Sequence, residues 1–180
     1  LQATVDARFP GRVNRVSCSR CGADDMVVLV NSWSDQDPGS WWVYYPAISK
    51  WVGVGPVRRD IDARRMATLD LHSIKARDGS DLPVWVTLPP GAAKAGPRPA
   101  VVLVHESAWS RGVRWGWNAT AQFLASRGYV VIEPEFRGSS GFGDKHERAG
   151  WKQWGRAMQD DIADATRWAA TKGWVDSGKV

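Results

Sequence analysis

The apolar positions change period along the chain, and the changes mark its elements. In the first third the apolar runs are short and β-branched or aromatic. Val13 to Val16, Met26 to Val30, Trp41 to Tyr45 and Lys50 to Val54 each read as a strand, so residues 1 to about 60 are expected to be all-β. Ser32 to Gly39 between them is rich in turn formers. Val57 to Arg65 breaks the pattern with paired arginines and interspersed aspartates, as a linker would. Met66 to Lys75 and Leu82 to Leu88 then alternate around Asp78-Gly79, a hairpin signal. In the second strand Val84, Val86 and Leu88 share one face, and Trp85 and Thr87 the other.

Residues 100 to 143 show a different pattern. Ala100 to Val104 is a continuous Val-rich run, as in a strand buried on both faces. Asn118 is placed to cap a helix through Arg127, with Phe123 and Leu124 on its inner side and Gly128 at its end. Tyr129 to Ile132 is a second buried strand. Strand, helix and strand make a βαβ unit of a parallel sheet. Ligands of open α/β sheets bind outside the carboxyl ends of such strands. That places the functional edge at His105, Glu106, Ser107, Ala108 and Trp109 after the first strand, and at Arg137, Gly138 and Ser139 after the second.

Ala92 to Pro99 reads as a flexible lead into the first of these strands, and Asp144 to Arg148 as a polar stretch. A last helix is expected from about Arg156 to Lys172, with Met158, Ile162, Ala165 and Ala169 on one face. Asp160, Asp161 and Asp164 favour its N-terminal half through the helix dipole. Gly173 ends it, and Lys179-Val180 reads as the first step of another strand.

Composition adds bounds. The 180 residues are 43% hydrophobic and 24% charged, an ordinary globular balance. No apolar run is long enough to span a bilayer. The net charge of +5 is spread over scattered arginines, which reads as a solvated basic surface, with no nucleic acid and no membrane as partner. Twelve tryptophans point first to core and interdomain packing. Cys18 and Cys21 form one C-x-x-C without a second ligand pair, so a structural pair, reduced or bridged, is expected over a metal site. The chain begins at Leu1, so its first residue is not expected to be a natural start.

The search for chemistry returns no complete catalytic set. G-x-S-x-G is absent; Gly138-Ser139-Ser140-Gly141 is one residue short and follows the wrong strand, so Ser139 reads as a loop residue. His105-Glu106 and His146-Glu147 would each need a second His one turn on, where Trp109 and Gly150 stand. No phosphate loop or dinucleotide fingerprint is present, and no cofactor is expected. Asn118-Ala119-Thr120 matches a glycosylation sequon, but a helix start explains it as well.

Several segments, in order, resemble the prolyl oligopeptidase family of serine peptidases, which join a β-propeller to an α/β-hydrolase domain. SWSDQDPGSWWVYY from Ser32 looks like a late propeller blade, and IKARDGSDLPVWVTLPPG from Ile74 like the opening hairpin of the hydrolase domain. Pro99 to Trp109, Gly128 to Gly143 and the run from Glu147, with ERAGWKQWG, DDIADATRWA and GWVDSGKV, look like the core that follows. The resemblance implies an α/β fold: residues 1–62 as the C-terminal part of a propeller, and 63–180 as the N-terminal half of the hydrolase domain, truncated before the nucleophile elbow. It also implies a short-peptide substrate and a Ser-His-Asp triad lying outside this chain, which would be inactive alone and leave a sheet edge exposed. The family commonly has His-Gly-Gly-Pro where this chain has His105-Glu106-Ser107-Ala108. Glycines there admit a developing oxyanion. Glu106 instead puts a carboxylate nearby, to pair with Arg111, Arg114 or a substrate amine, or to serve only the loop. Arg137 is expected to fix its loop by a salt bridge or to meet a substrate carboxylate. An α/β-hydrolase esterase and a non-catalytic binding homologue are the alternatives.

Overall fold

The structure, a computed structural model, describes residues 1–92 and 96–180. It forms two compact units: residues 1–65 with 116–118, and residues 66–115 with 119–180.

The first unit is a four-stranded antiparallel meander. Its strands are β1 (Val13–Ser19), β2 (Val27–Trp33), β3 (Ser40–Tyr45) and β4 (Lys50–Pro56), in the order β1-β2-β3-β4. In β2 the two-residue period turns Val28, Val30 and Ser32 inward and leaves Val27 and Leu29 exposed. The core joins Val28, Val30 and Tyr44 to Val5, with Phe9, Trp42 and Trp51 against them. Tyr44 stacks on its cross-strand neighbour Trp51 at 4.3 Å. Arg12 ties the β2–β3 turn to this sheet, donating to Ser32 Oγ at 2.9 Å and to Asp37 at 2.7 Å. Gly39 is required there: a Cβ would lie 2.8 Å from the Ser32 carbonyl oxygen. Cys18 and Cys21 form a disulfide at the β1–β2 turn.

The all-β expectation fails at the N-terminus, where α1 (Gln2–Arg8) is helical and buries Val5 completely. A seven-residue helix with one buried residue has no apolar stripe, so no period marks it.

The second unit contains β5 (Thr68–Lys75), β6 (Asp81–Leu88), β7 (Ala100–Val102), α2 (Ala119–Ser126), β8 (Val130–Pro134), α3 (Asp144–Arg148) and α4 (Ala157–Thr171). The sheet order is β5-β6-β8-β7. β5 and β6 are the expected hairpin, β6 and β8 are antiparallel, and β7 and β8 are parallel. One sheet face packs Leu82, Val84, Val86, Val130 and Ile132 against Ala165 and Ala169 of α4. α2 packs against β6 and β8 and buries Ala121, Gln122 and Ala125.

Four expectations need correction here. β7 stops at Val102, two residues early, although Leu103 still donates to the Ile132 carbonyl. Phe123 faces outward at 58% exposure, because the buried stripe of α2 runs through Ala121, Gln122 and Ala125. Gln122 exchanges two 2.8 Å hydrogen bonds with the Ala67 backbone, so a buried polar side chain, satisfied at both ends, takes the inner position. The polar stretch 144–148 is the short helix α3. Lys179 is not in a strand, yet its carbonyl accepts from Ala100, and 174–179 runs beside 98–100. Of the lead expected at 92–99, residues 93–95 lie outside the described residues.

Candidate functional site

Parallel pairing brings the carboxyl ends of β7 and β8 together, and with them both loops singled out in the sequence. Their junction is built on Glu135, just beyond β8. Glu135 is fully buried, and its carboxylate accepts from the Gly112 N–H at 2.9 Å and the Val113 N–H at 2.7 Å. Two charge-assisted hydrogen bonds thus pin the far end of the β7 loop. Gly112 is needed at that point, because a Cβ would overlap the His105 ring.

His105 lies flat on Phe136, ring centroids 4.3 Å apart, with Nε2 3.0 Å from Ser139 Oγ and 3.7 Å from Glu135 Oε2. Ser139 is fully buried, and its hydroxyl donates to the Phe136 carbonyl at 2.7 Å. With its one hydrogen committed, Ser139 accepts from His105 Nε2–H. That is the reverse of the direction a histidine base needs to activate a serine. His105 Nδ1 is buried with no hydrogen-bond partner among the described residues.

Arg137 is held on its other side. Its guanidinium makes a two-pronged contact with Asp161 of α4, at 2.8 and 2.7 Å, and a further 2.8 Å bond to Asp78 in the β5–β6 turn. These pairs hold the Asp78 carboxyl well below the usual carboxylate range and raise the guanidinium further. Gly138, at φ +106°, lets this loop approach the other: a Cβ would come within 2.6 Å of the Ala108 carbonyl oxygen. Gly150 packs on Gly138 with equally little room, 2.6 Å from a Cβ to the Gly138 Cα. His146 Nε2 lies 3.0 Å from the carbonyl oxygen of Glu135 and donates along that line.

The solvent side carries Glu106, Ser107 and Trp109, while Ala108 is buried. Among the described residues Glu106 makes no ion pair. Arg111 instead donates to the Val113 carbonyl at 2.9 Å and covers the Phe142 ring. Glu133, two residues before Glu135, is also buried, and burial, then the Glu135 charge, pushes its carboxyl up to about 7. No group of three or more metal-ligating side chains is present among the described residues.

The sequence pointed to Glu106 and Arg137 but missed the anchors Glu135, Asp161 and Asp78. The crowding of three aspartates in α4 was a signal. It was assigned to the helix dipole, whereas Asp161 holds Arg137, and Asp160 and Asp164 hold Arg77 at 2.6 and 2.9 Å.

Residues 115–180 match the model of the prolyl oligopeptidase family. Dipeptidyl aminopeptidase BIII of Pseudoxanthomonas mexicana is 42% identical over 113 residues, 59% of this chain and 16% of that protein. Dipeptidyl peptidase family member 6 of Caenorhabditis elegans is 29% identical over 203 residues, covering 100% of this chain and 26% of its own length. The chain therefore spans about a quarter or less of these relatives. Prolyl oligopeptidase B of Galerina marginata, solved with a 35mer substrate, superposes with a TM-score of 0.72 at 15% identity over 95% of this chain and 24% of its own. Puromycin hydrolase gives 0.68 at 18% identity over 85% of this chain and 24% of its own. At such identities the superpositions show the fold: strands of a propeller followed by the first half of an α/β-hydrolase sheet.

Proposed function

We propose, on the premise that this chain belongs to the prolyl oligopeptidase family, that it is the junction region of a serine peptidase acting on short peptides. Residues 1–62 are the end of the propeller, and 63–180 begin the hydrolase domain. The reaction is acyl transfer from the peptide to a serine and then to water, with a histidine base held by an aspartate. All three groups come from residues other than these 180, and this chain alone is inactive. The match over 115–180 carries the reading. The hydrogen-bond direction at Ser139 supports the absence of a nucleophile here. In this reading His105 to Trp109 and Arg137 to Ser139 shape the substrate side of the site, with Glu135 and Asp161 fixing them from behind.

The test uses the whole protein that carries this chain, treated with a fluorophosphonate probe and assayed on dipeptidyl p-nitroanilides. Labelling of a serine outside residues 1–180, with anilide release, is the expected result. Labelling of Ser107 or Ser139, or no labelling, overturns the proposal.

A further inference from the structure

The β5–β6 hairpin and the segment that follows β8 enclose a hollow of about 340 Å³, all of it within the second unit. That falls in the ~300–1,000 Å³ range of pockets that bury small organic ligands. Its lining shares no residue with the loop at 105–109. Lys75, Ser80, Asp81 and Pro83 come from the hairpin, and Phe142, Lys145, His146 and Ala149 from the segment through α3. The Arg137–Asp161 pair, nearly buried, is its floor.

The charges of this lining are matched within the chain, with one exception. Arg137 is engaged by Asp161 and by Asp78, which lies outside the lining. Lys75 Nζ lies 2.6 Å from Asp81 Oδ1. The Ser80 N–H donates to Asp78 at 3.1 Å, and His146 Nε2 donates to the Glu135 carbonyl. Lys145 is the exception: among the described residues it makes no ion pair. Its charge still reaches Asp81, whose carboxyl is held below the usual range by Lys75 first and, more weakly, by Lys145. Two ammonium groups thus stand by one carboxylate, and one positive charge has no partner. The apolar part of the lining is Phe142, Pro83 and Ala149. Phe142 is fixed in place, with the Arg111 guanidinium 4.8 Å from its ring centroid and the His146 ring edge-on at 5.9 Å. An aromatic wall beside a single unmatched ammonium is complementary to a flat apolar body bearing one negative charge. A dianion such as a phosphate ester would need the second ammonium, which Asp81 holds.

We propose that this hollow binds a small aromatic monocarboxylate, with the carboxylate on Lys145 and the ring against Phe142 and Pro83. The site is separate from the peptidase reading and does not depend on it.

The experiment is titration calorimetry of the whole protein, in low-salt buffer, with 3-phenylpropionate, its neutral amide and phenyl phosphate. 3-Phenylpropionate is expected to bind about fivefold more tightly than the amide, and at least as tightly as phenyl phosphate. Lys145→Gln should remove the preference over the amide. Ala149→Leu narrows the hollow without touching a charge, and should weaken acid and amide alike severalfold. Lys145 and Ala149 are both exposed, so neither change threatens folding. No binding of 3-phenylpropionate to the wild type overturns the proposal. So does an undiminished preference in Lys145→Gln, or undiminished binding in Ala149→Leu. Tighter binding of phenyl phosphate than of the acid overturns the assignment to a monocarboxylate.

Discussion

At Glu133, burial opposes ionisation, and the charge of Glu135, just beyond the same strand, opposes it further. The carboxyl titrates at about 7 in the folded chain against 4.5 when free. Between those values the folded form holds a proton that the unfolded form has released, so stability falls as pH rises from about 4.5 to 7 and is level on either side. Glu133→Gln should flatten that slope and stabilise the chain at pH 8 by up to about 3 kcal/mol, measured by urea unfolding across the pH range. An unchanged slope would show that Glu133 is not the group responsible. Gly138 and Gly150 set a second condition at this scale. Gly138→Ala places a Cβ against the Ala108 carbonyl at a left-handed φ, and should cost about 2 kcal/mol or more. A melting temperature equal to that of the wild type would mean that the two loops have room to part.

Between elements, the Arg137–Asp161 pair joins the end of β8 to α4, with Asp161 buried and Arg137 nearly so. Removing one partner of such a pair strands the other. Arg137→Ala should therefore destabilise by about 3 kcal/mol, and Arg137→Ala with Asp161→Asn by less than the two changes summed. A double-mutant cycle in urea reads this directly, and strict additivity would refute the coupling. In the N-terminal sheet, Val5 alone anchors the seven-residue α1 by full burial. Val5→Ala should cost about 2 kcal/mol, seen as increased amide exchange across Gln2–Arg8.

For the whole molecule, the proposed reading predicts that the 180 residues neither release anilide from dipeptidyl substrates nor react with a fluorophosphonate by themselves, and that the complete protein should do both. Turnover by the isolated chain would place the nucleophile within it. The chain also has few cues to its own wider context. The meander, the β5–β6 hairpin and the βαβ unit were each readable, because every one is a local alternation or a turn signal such as Asp78-Gly79. The resemblance to the prolyl oligopeptidase family was readable from ordered motifs, and the family model matches two of them, the Gly128–Gly143 segment and the α4 run.

What the sequence alone determined are features that repeat along the chain. The two-residue period places Val28 and Val30 inside β2, the 3.6-residue helical period places Met158, Ala165 and Ala169 on the buried face of α4, and Val-rich runs mark β7 and β8. Only the tertiary structure decided the features that depend on one partner far away. Glu135 becomes the anchor of the 105–113 loop because two N–H groups 22 and 23 residues earlier point at it. Gln122 displaces Phe123 from the inner face of α2 because the Ala67 backbone, 55 residues away, satisfies its amide. Ser139 loses its chemistry to a carbonyl three residues back and a ring 34 residues away. Periodicity averages over many residues and survives in one dimension. A hydrogen bond depends on a single meeting in space, which no local pattern encodes.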